Sequence, residues 1–207
     1  MDALGITIFR VVVLIFSVVI HEVSHGFMAR SLGDPTAERL GRLTLNPLRH
    51  LDPFGSVVLP LFLILTGSPF LFGYAKPVPY NPSALRDRVY GPAKVGVAGP
   101  LANILLAVLA AAAVRFLGGM LSPLAVSLMI YVVWVNLVLA VFNLIPVPPL
   151  DGHWLLVSLL PSRLIALKIA LYRYQWVLLA VVVFILFPML APVLMSVLRL
   201  LTGASLF

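Results

Sequence analysis

The residues best suited to chemistry form the motif His21-Glu22-x-x-His25, within an almost wholly apolar stretch from about Leu4 to Leu32. In a helix, residues four apart lie on one face, so the imidazoles of His21 and His25 could reach the same metal ion. In an H-E-x-x-H pattern the two histidines bind zinc, and the glutamate takes a proton from water. The spacing therefore predicts a zinc site with Glu22 as the catalytic base.

A third ligand is needed, because a catalytic zinc site has three protein ligands and one open position. The chain has no cysteine, so this ligand must be a histidine or a carboxylate. We expect Asp151, because prolines 146, 148 and 149 predict irregular backbone before it, which a membrane tolerates only where it lines a polar cavity. An ordinary turn is the alternative interpretation of Asp151-Gly152. The other carboxylates, apart from Glu22, lie at the terminus or in predicted loops: Asp2, Asp34, Glu38, Asp52 and Asp87.

The composition is that of a polytopic membrane protein, since 62% of the 207 residues are hydrophobic and 10% are charged. A net charge of +7 would suggest nucleic acid as a partner of a soluble protein. Here the basic residues flank apolar runs and set the orientation in a lipid bilayer, so we expect no nucleic acid. The apolar start carries the metal motif, so we expect it to be retained rather than cleaved as a signal peptide. A single domain, residues 1–207, accounts for the chain.

Four apolar stretches are long enough to span a membrane as helices. They are Leu4–Leu32, Pro92–Leu117, Leu124–Ile145 and Gln175–Leu198. Gly33 and Pro35 predict the end of the first span, and Asp52-Pro53 predicts the start of a further helix. The predicted fold class is an all-α polytopic membrane protein with about four full transmembrane helices.

Three shorter elements complete the prediction. Phe54–Leu65 is too short for a full span and contains a proline, which favours a re-entrant segment. In Thr36–Asn46, Leu43 and Leu45 alternate with polar residues, which predicts a small interfacial β-hairpin. Phe70–Asn81 is rich in proline, glycine and aromatic residues, and predicts an irregular interfacial loop.

Separate motifs in the chain resemble the site-2 protease family of intramembrane zinc metalloproteases. They are His21-Glu22-x-x-His25, Gly99-Pro100-x-x-Asn103 and Asn143-x-x-Pro146-x-Pro148-x-Leu150-Asp151-Gly152. The resemblance covers about Ile15 to Gly152 and implies that His21, His25 and Asp151 bind one Zn²⁺. It also implies that Glu22 is the catalytic acid and base, and that Asn143 positions the substrate or its developing oxyanion. We expect a minimal form, because the chain leaves no room for a PDZ or CBS domain.

Three further polar residues have two interpretations each. His50 and His153 could reach the metal, but a single histidine in a loop at the membrane edge is more often structural. Asn103 could contribute to helix packing or contact the site.

The predicted reaction is hydrolysis of a peptide bond in or near a transmembrane segment of a membrane protein substrate. The substrate helix must unwind locally, because its carbonyl groups are otherwise hydrogen-bonded, and Thr36–Asn46 could pair with the unwound segment as a strand. A metal-binding membrane transporter is the alternative, with the same ligands as a transit site. A transit site, however, has no need of Glu22 beside its ligands.

The ligands also predict a topology. Both ligand-bearing spans deliver their ligands near their C-terminal ends, so they must cross the membrane in the same direction, with Pro92–Leu117 returning between them. Residues 33–91 then begin and end on one side. Eleven of the 14 basic residues fall on the side of the ligands and three on the other. This asymmetry predicts a multi-pass protein of the cell (plasma or inner) membrane with its active site toward the cytoplasm.

Overall fold

The computed structural model describes residues 2–58, 62, 65–66 and 76–203. Helices dominate, and no strand occurs among these residues, which confirms the predicted all-helical class. The helices, in chain order, are α1 (Ala3–Ser31), α2 (Thr36–Arg39), α3 (Gly91–Leu117), α4 (Pro123–Leu144), α5 (Gly152–Leu159), α6 (Ile165–Arg173) and α7 (Gln175–Thr202). Shorter helical turns lie at Pro47–Arg49, Pro53–Val58, Pro82–Ala84, Gly118–Met120 and Ser162–Leu164.

Four of these helices, α1, α3, α4 and α7, are long and apolar enough to cross a membrane. Each coincides with a predicted span to within a few residues. Large apolar side chains on their outer faces are exposed, among them Leu4 at 66%, Leu105 at 59% and Phe184 at 68%. Such faces are unfavourable in water and favourable in lipid, so the outer surface of the helices fits a bilayer.

Helices α1 and α3 lie side by side in opposite directions. The side-chain amide of Asn103 on α3 donates a hydrogen bond to the carbonyl of Ser17 on α1. His25, eight residues further along α1, contacts Val95, eight residues earlier on α3. The C-terminal half of α1 therefore lies against the N-terminal part of α3.

Helix α4 is likewise antiparallel to α3. Asn136 in the middle of α4 bonds to Asn103, whereas Asp151, beyond the end of α4, lies against Gly96 near the start of α3. Helices α1 and α4 consequently run in the same direction, as the sequence predicts. Away from these polar contacts, the core between α3, α4 and α7 is apolar and contains Ala107, Ala111, Val133, Leu137 and Leu198.

The structure differs from the predicted β-hairpin over Thr36–Asn46. Thr36–Arg39 form a helical turn, and the carboxylate of Asp34 in front of it accepts a hydrogen bond from the Thr36 amide at 3.0 Å. The residues that follow carry no regular structure up to Asn46. Of the alternating leucines, Leu43 packs against α1 and Leu45 is 56% exposed, so the alternation does not arise from strand pairing.

The region around the predicted re-entrant segment is described in part. Asp52 accepts hydrogen bonds from the amides of Phe54 and Gly55 at 3.1 and 2.7 Å, which confirms the predicted helix start. Residues 59–61, 63–64 and 67–75 lie outside the described residues, so the re-entrant segment and the first part of the Phe70–Asn81 loop stay predictions. The amide of Arg86 donates to the carbonyl of Leu32 at 2.9 Å. The chain from residue 33 to 85 therefore leaves the end of α1 and returns to it.

Candidate metal centre

Three side chains predicted as ligands converge at one point. Nε2 of His21 and Nε2 of His25 lie 2.9 and 3.3 Å from Oδ2 of Asp151. Both histidines are buried, at 5% and 7% exposure, and Asp151 is partly buried. Within the part of the chain that the structure describes, these residues form the group that could hold a metal ion, with one ligand atom from each within 4.8 Å of the others.

The backbone explains how these side chains meet. Helix α1 carries His21 and His25 one turn apart, with ring centroids 4.7 Å apart and ring planes at 85°. Helix α4 ends at Leu144, and an irregular turn leads to Asp151. A Cβ atom at Gly152 would lie 2.2 Å from the carbonyl oxygen of Leu144. Only glycine therefore lets the turn fold back against the end of α4 and bring Asp151 to the histidines.

Two glycines of α3 form the floor of the centre. A Cβ atom at Gly99 would lie 2.5 Å from Nε2 of His25 and 2.7 Å from Nε2 of His21. A Cβ atom at Gly96 would lie 2.9 Å from the carbonyl oxygen of Asp151. The absence of side chains at these positions leaves space beside the ligand atoms and lets α3 approach the turn closely.

The hydrogen bonds of the two imidazoles leave one nitrogen of each ring available to a metal ion. Nδ1 of His21 lies 2.6 Å from Oδ1 of Asn103, and Nδ1 of His25 lies 2.7 Å from the carbonyl oxygen of Val95. Because both partners are acceptors, each Nδ1 carries the hydrogen, and each Nε2 is left to act as a ligand. Nε2 of His25 is buried and makes no hydrogen bond.

The separations between ligand atoms agree with this interpretation. Ligand atoms of a tetrahedral zinc site with bonds of about 2.0 to 2.1 Å are about 3.3 Å apart. The two separations from Asp151, 2.9 and 3.3 Å, are close to that value. Two imidazoles and one carboxylate are also a donor set that zinc accepts in catalytic sites, so the residues present fit zinc.

Glu22 lies next to the ligands and is held by the chain segment Lys76–Tyr80, called the 76–80 segment below. Its Oε2 accepts a hydrogen bond from the Val78 amide at 2.8 Å. Arg42, which is buried, donates to the carbonyl oxygens of Lys76 and the next residue at 2.8 and 3.3 Å. The Lys76 amide donates to the carbonyl of His50 at 2.8 Å. These contacts from the 42–50 region fix the position of the amide that binds Glu22.

The far end of the 76–80 segment is tied to α2 by Asp34, which is fully buried. Its carboxylate accepts hydrogen bonds from the Asn81 amide and from the amide and hydroxyl of Thr36. Burial by itself would raise the pKa of Asp34, but the hydrogen bonds from Thr36 and Asn81 outweigh it and lower the pKa. Asp34 is thus a structural carboxylate that joins Asn81, the residue after the 76–80 segment, to the start of α2.

Nearby backbone carbonyls accept hydrogen bonds from three other residues predicted at or near the site, Asn143, His50 and His153. Asn143 is partly buried, and its side-chain amide donates to the carbonyl of Leu139 on its own helix at 2.9 Å. His50 and His153 each bond to a nearby backbone carbonyl, at 2.8 and 2.6 Å. Neither belongs to the group of ligand atoms that the structure brings together. Asn103 contacts the predicted ligand His21 and also joins α3 to α1 and α4 by hydrogen bonds, so both of its interpretations are observed.

Sequence reasoning missed the residues that support His21 and Glu22 indirectly. Asn136 bonds to Asn103, and Arg42 positions the 76–80 segment. A signal for Asn136 was available, because a buried amide inside an apolar span is costly unless it is hydrogen-bonded. Arg42 gave no such signal, since a single arginine in a polar loop has no distinguishing spacing.

Comparison with known proteins agrees with this geometry. The model of the family described as peptidase family M50 matches residues 118–189. "Putative zinc metalloprotease YwhC" of Bacillus subtilis (strain 168) is 38% identical over 160 residues, which cover 74% of this chain and 69% of the relative. "Putative zinc metalloprotease Rip2" of Mycolicibacterium smegmatis is 33% identical over 187 residues, which cover 90% and 70%. No solved structure matches the chain at a significant level.

Proposed function

Because the chain belongs to peptidase family M50, the site-2 protease family, and is an intramembrane zinc metalloprotease, we propose that His21, His25 and Asp151 are its zinc ligands. We further propose that it cleaves a peptide bond in or near a transmembrane segment of a membrane protein. The observation that carries the proposal is the convergence of both histidines of the H-E-x-x-H motif on Asp151 at 2.9 and 3.3 Å.

Zinc, when bound, supplies Lewis-acid activation of water and of the peptide carbonyl. Glu22 is the proton carrier. The Val78 amide holds its Oε2, and we assign the other oxygen to accept a proton from the attacking water and to return it to the leaving amine. Asn143 is assigned to the substrate: its amide nitrogen has two hydrogens, one bonded to Leu139, and the second would bind the substrate carbonyl or the developing oxyanion.

We assign the site to the cytoplasmic side of the cell (plasma or inner) membrane. The end of the bundle that holds the ligands has eleven basic residues, and the opposite end has three. The three are Arg10, Arg115 and Arg199. Arg115 donates to the carbonyl of Leu200, which supports the placing of Arg115 and Arg199 at the same end. An excess of Lys and Arg in short loops marks the cytoplasmic face.

The function is tested with the purified chain reconstituted in liposomes together with a panel of single-span membrane proteins. Glu22→Gln keeps the ligands and removes the base, so we expect it to retain zinc and to lose cleavage. Zinc content by atomic absorption and cleavage by gel shift are measured on the same samples. The wild type with zinc removed by a chelator is the matched control, since it lacks the metal and keeps Glu22.

Two outcomes would contradict the assignment. Cleavage by Glu22→Gln at the wild-type rate would remove Glu22 from the proton transfer. Zinc flux across the liposome membrane that is unaffected by Glu22→Gln, with no cleavage of any panel member, would instead favour a transporter.

A further inference from the structure

A chain of buried polar side chains joins three helices behind His21. Ser17 on α1, Asn103 on α3 and Asn136 on α4 are 4%, 0% and 1% exposed. Asn136 donates to the Ser17 hydroxyl at 3.0 Å and to the carbonyl of Val132 at 2.9 Å. Asn103 donates to Oδ1 of Asn136 at 2.7 Å and to the carbonyl of Ser17 at 3.2 Å. The chain of bonds ends at Nδ1 of His21.

The number of hydrogens in this chain of bonds allows one orientation of the Asn103 amide. The Asn136 amide nitrogen uses both hydrogens, on the Ser17 hydroxyl and the Val132 carbonyl, so its Oδ1 faces Asn103 and accepts from it. Both hydrogens of the Asn103 amide are used in turn, by Asn136 and by the carbonyl of Ser17, so Oδ1 of Asn103 faces His21. A flipped Asn103 would place its oxygen against two acceptors, and such an orientation is excluded by the network.

The orientation of Asn103 decides which nitrogen of His21 can bind a metal. An oxygen at 2.6 Å from Nδ1 requires that Nδ1 carry the hydrogen, and Nε2 then has the free lone pair toward Asp151 and His25. With the amide reversed, its N–H would point at Nδ1 and favour the hydrogen on Nε2, the atom that must coordinate the metal.

We propose that Asn103 and Asn136 are positioning residues that fix the metal-binding tautomer of His21. Asn136 does so through Asn103. This proposal rests on the proposed zinc site. It adds a role for Asn136, whose side chain hydrogen-bonds to none of the proposed ligands.

Helix packing alone is the competing explanation, since interhelical amide bonds hold membrane helices together. The two explanations predict different effects on zinc affinity and on the stability of the metal-free protein. Bonds that only hold helices together stabilise the protein with and without metal. A residue that fixes the tautomer of His21 changes the affinity for zinc even where the metal-free fold is intact.

The test compares two variants at the same position in the full-length chain, purified in detergent. Asn136→Leu removes the acceptor for Asn103, and Asn136→Asp keeps a carboxyl oxygen at that place. Ser17→Ala is the matched control, because it removes a polar group of the same network and leaves the bonds of Asn103 intact. Zinc affinity is measured by competition with a chromophoric chelator, and the fold by thermal unfolding of the metal-free protein.

We expect Asn136→Leu to lower zinc affinity by up to about tenfold, the lower end of the 10- to 100-fold loss that is usual when the direct partner of a metal ligand is removed, because Asn103 keeps its bond to the carbonyl of Ser17. Asn136→Asp and Ser17→Ala should stay within about threefold of the wild type. Equal losses in Asn136→Leu and Asn136→Asp, or no loss in a folded Asn136→Leu, would overturn the proposal. If Asn136→Leu does not fold, Asn136→Ala takes its place, because it removes the same acceptor with a smaller side chain, and wild-type zinc affinity in a folded Asn136→Ala would overturn the proposal.

His21→Ala separates failure of this proposal from failure of the zinc site. If His21→Ala leaves zinc affinity unchanged, the assigned ligands are wrong, and the role of Asn136 falls with them. If His21→Ala abolishes zinc binding and Asn136→Leu does not alter it, the ligands stand and only the tautomer proposal is refuted.

Discussion

Gly99→Ala should remove zinc from an otherwise intact protein. The added methyl group would lie 2.5 Å from Nε2 of His25 and 2.7 Å from Nε2 of His21, whereas non-bonded atoms pack at about 3.5 to 4.0 Å. The imidazoles would have to move by about 1 Å, and a zinc site tolerates only about 0.2 Å in its ligand distances. We therefore expect zinc affinity to fall at least about 100-fold, or about 2.7 kcal/mol. In the metal-free protein the gain in helix propensity from Gly→Ala, about 0.5 to 1 kcal/mol, offsets part of the cost of moving the imidazoles, so we expect the fold to persist.

The assay is chelator competition for zinc, combined with thermal unfolding of the metal-free protein in detergent. Gly118→Ala is the matched control: it lies at the other end of α3, and its Cβ would meet no atom within 4 Å. The control should bind zinc as the wild type does. A Gly99→Ala protein with wild-type zinc affinity would refute the reasoning, since it would show that the ligands do not use the space beside Gly99.

Three further predictions follow from the site and the loops. Asp151→Ala should lose zinc affinity together with activity, and metal titration that gives a normal affinity would point to another third ligand. Single cysteines placed at Glu38 and Arg86, both exposed, should react with a membrane-impermeant reagent only from the cytoplasmic side; labelling from opposite sides would mean that the segment between them crosses the membrane. The lowered pKa of Asp34 means that its carboxylate stabilises the fold fully above about pH 4, and that this stabilisation is lost as the pH falls through the folded-state pKa. Asp34→Asn should therefore weaken the dependence of the unfolding temperature on pH below about pH 4, and an unchanged acid limb would contradict this.

The spans and the shared face of His21 and His25 could be predicted because their signals are local. A run of about 20 apolar residues indicates a membrane helix whatever its neighbours are. The spacing of His21 and His25 predicts a shared face from helix geometry alone. Asp151 could be predicted as the third ligand because few other carboxylates were suitable and because prolines precede it. The meeting of these residues across 130 positions of sequence then fixed the relative directions of α1, α3 and α4.

The loops could not be predicted because their structure depends on distant partners. The two leucines of the Thr36–Asn46 stretch match a strand pattern, but the stretch begins with a helical turn whose first amide is bound by Asp34, and Leu43 packs on α1. The partner of Glu22 is an amide 56 residues away, and no property of the Val78 side chain indicates it. Asn136 depends on two other helices for two of its three side-chain hydrogen bonds.

The hydrogen bond from the Val78 amide to Glu22 limits how the 76–80 segment can be aligned with α1. Pro77 and Pro79 have no amide hydrogen, so Val78 is the only donor among the three consecutive residues. A slip of one residue in either direction would bring a proline opposite Glu22 and leave its Oε2 without this partner. The Pro-Val-Pro sequence thus excludes a slip of one residue between the segment and α1, and this restriction comes from the two residues that cannot form the bond.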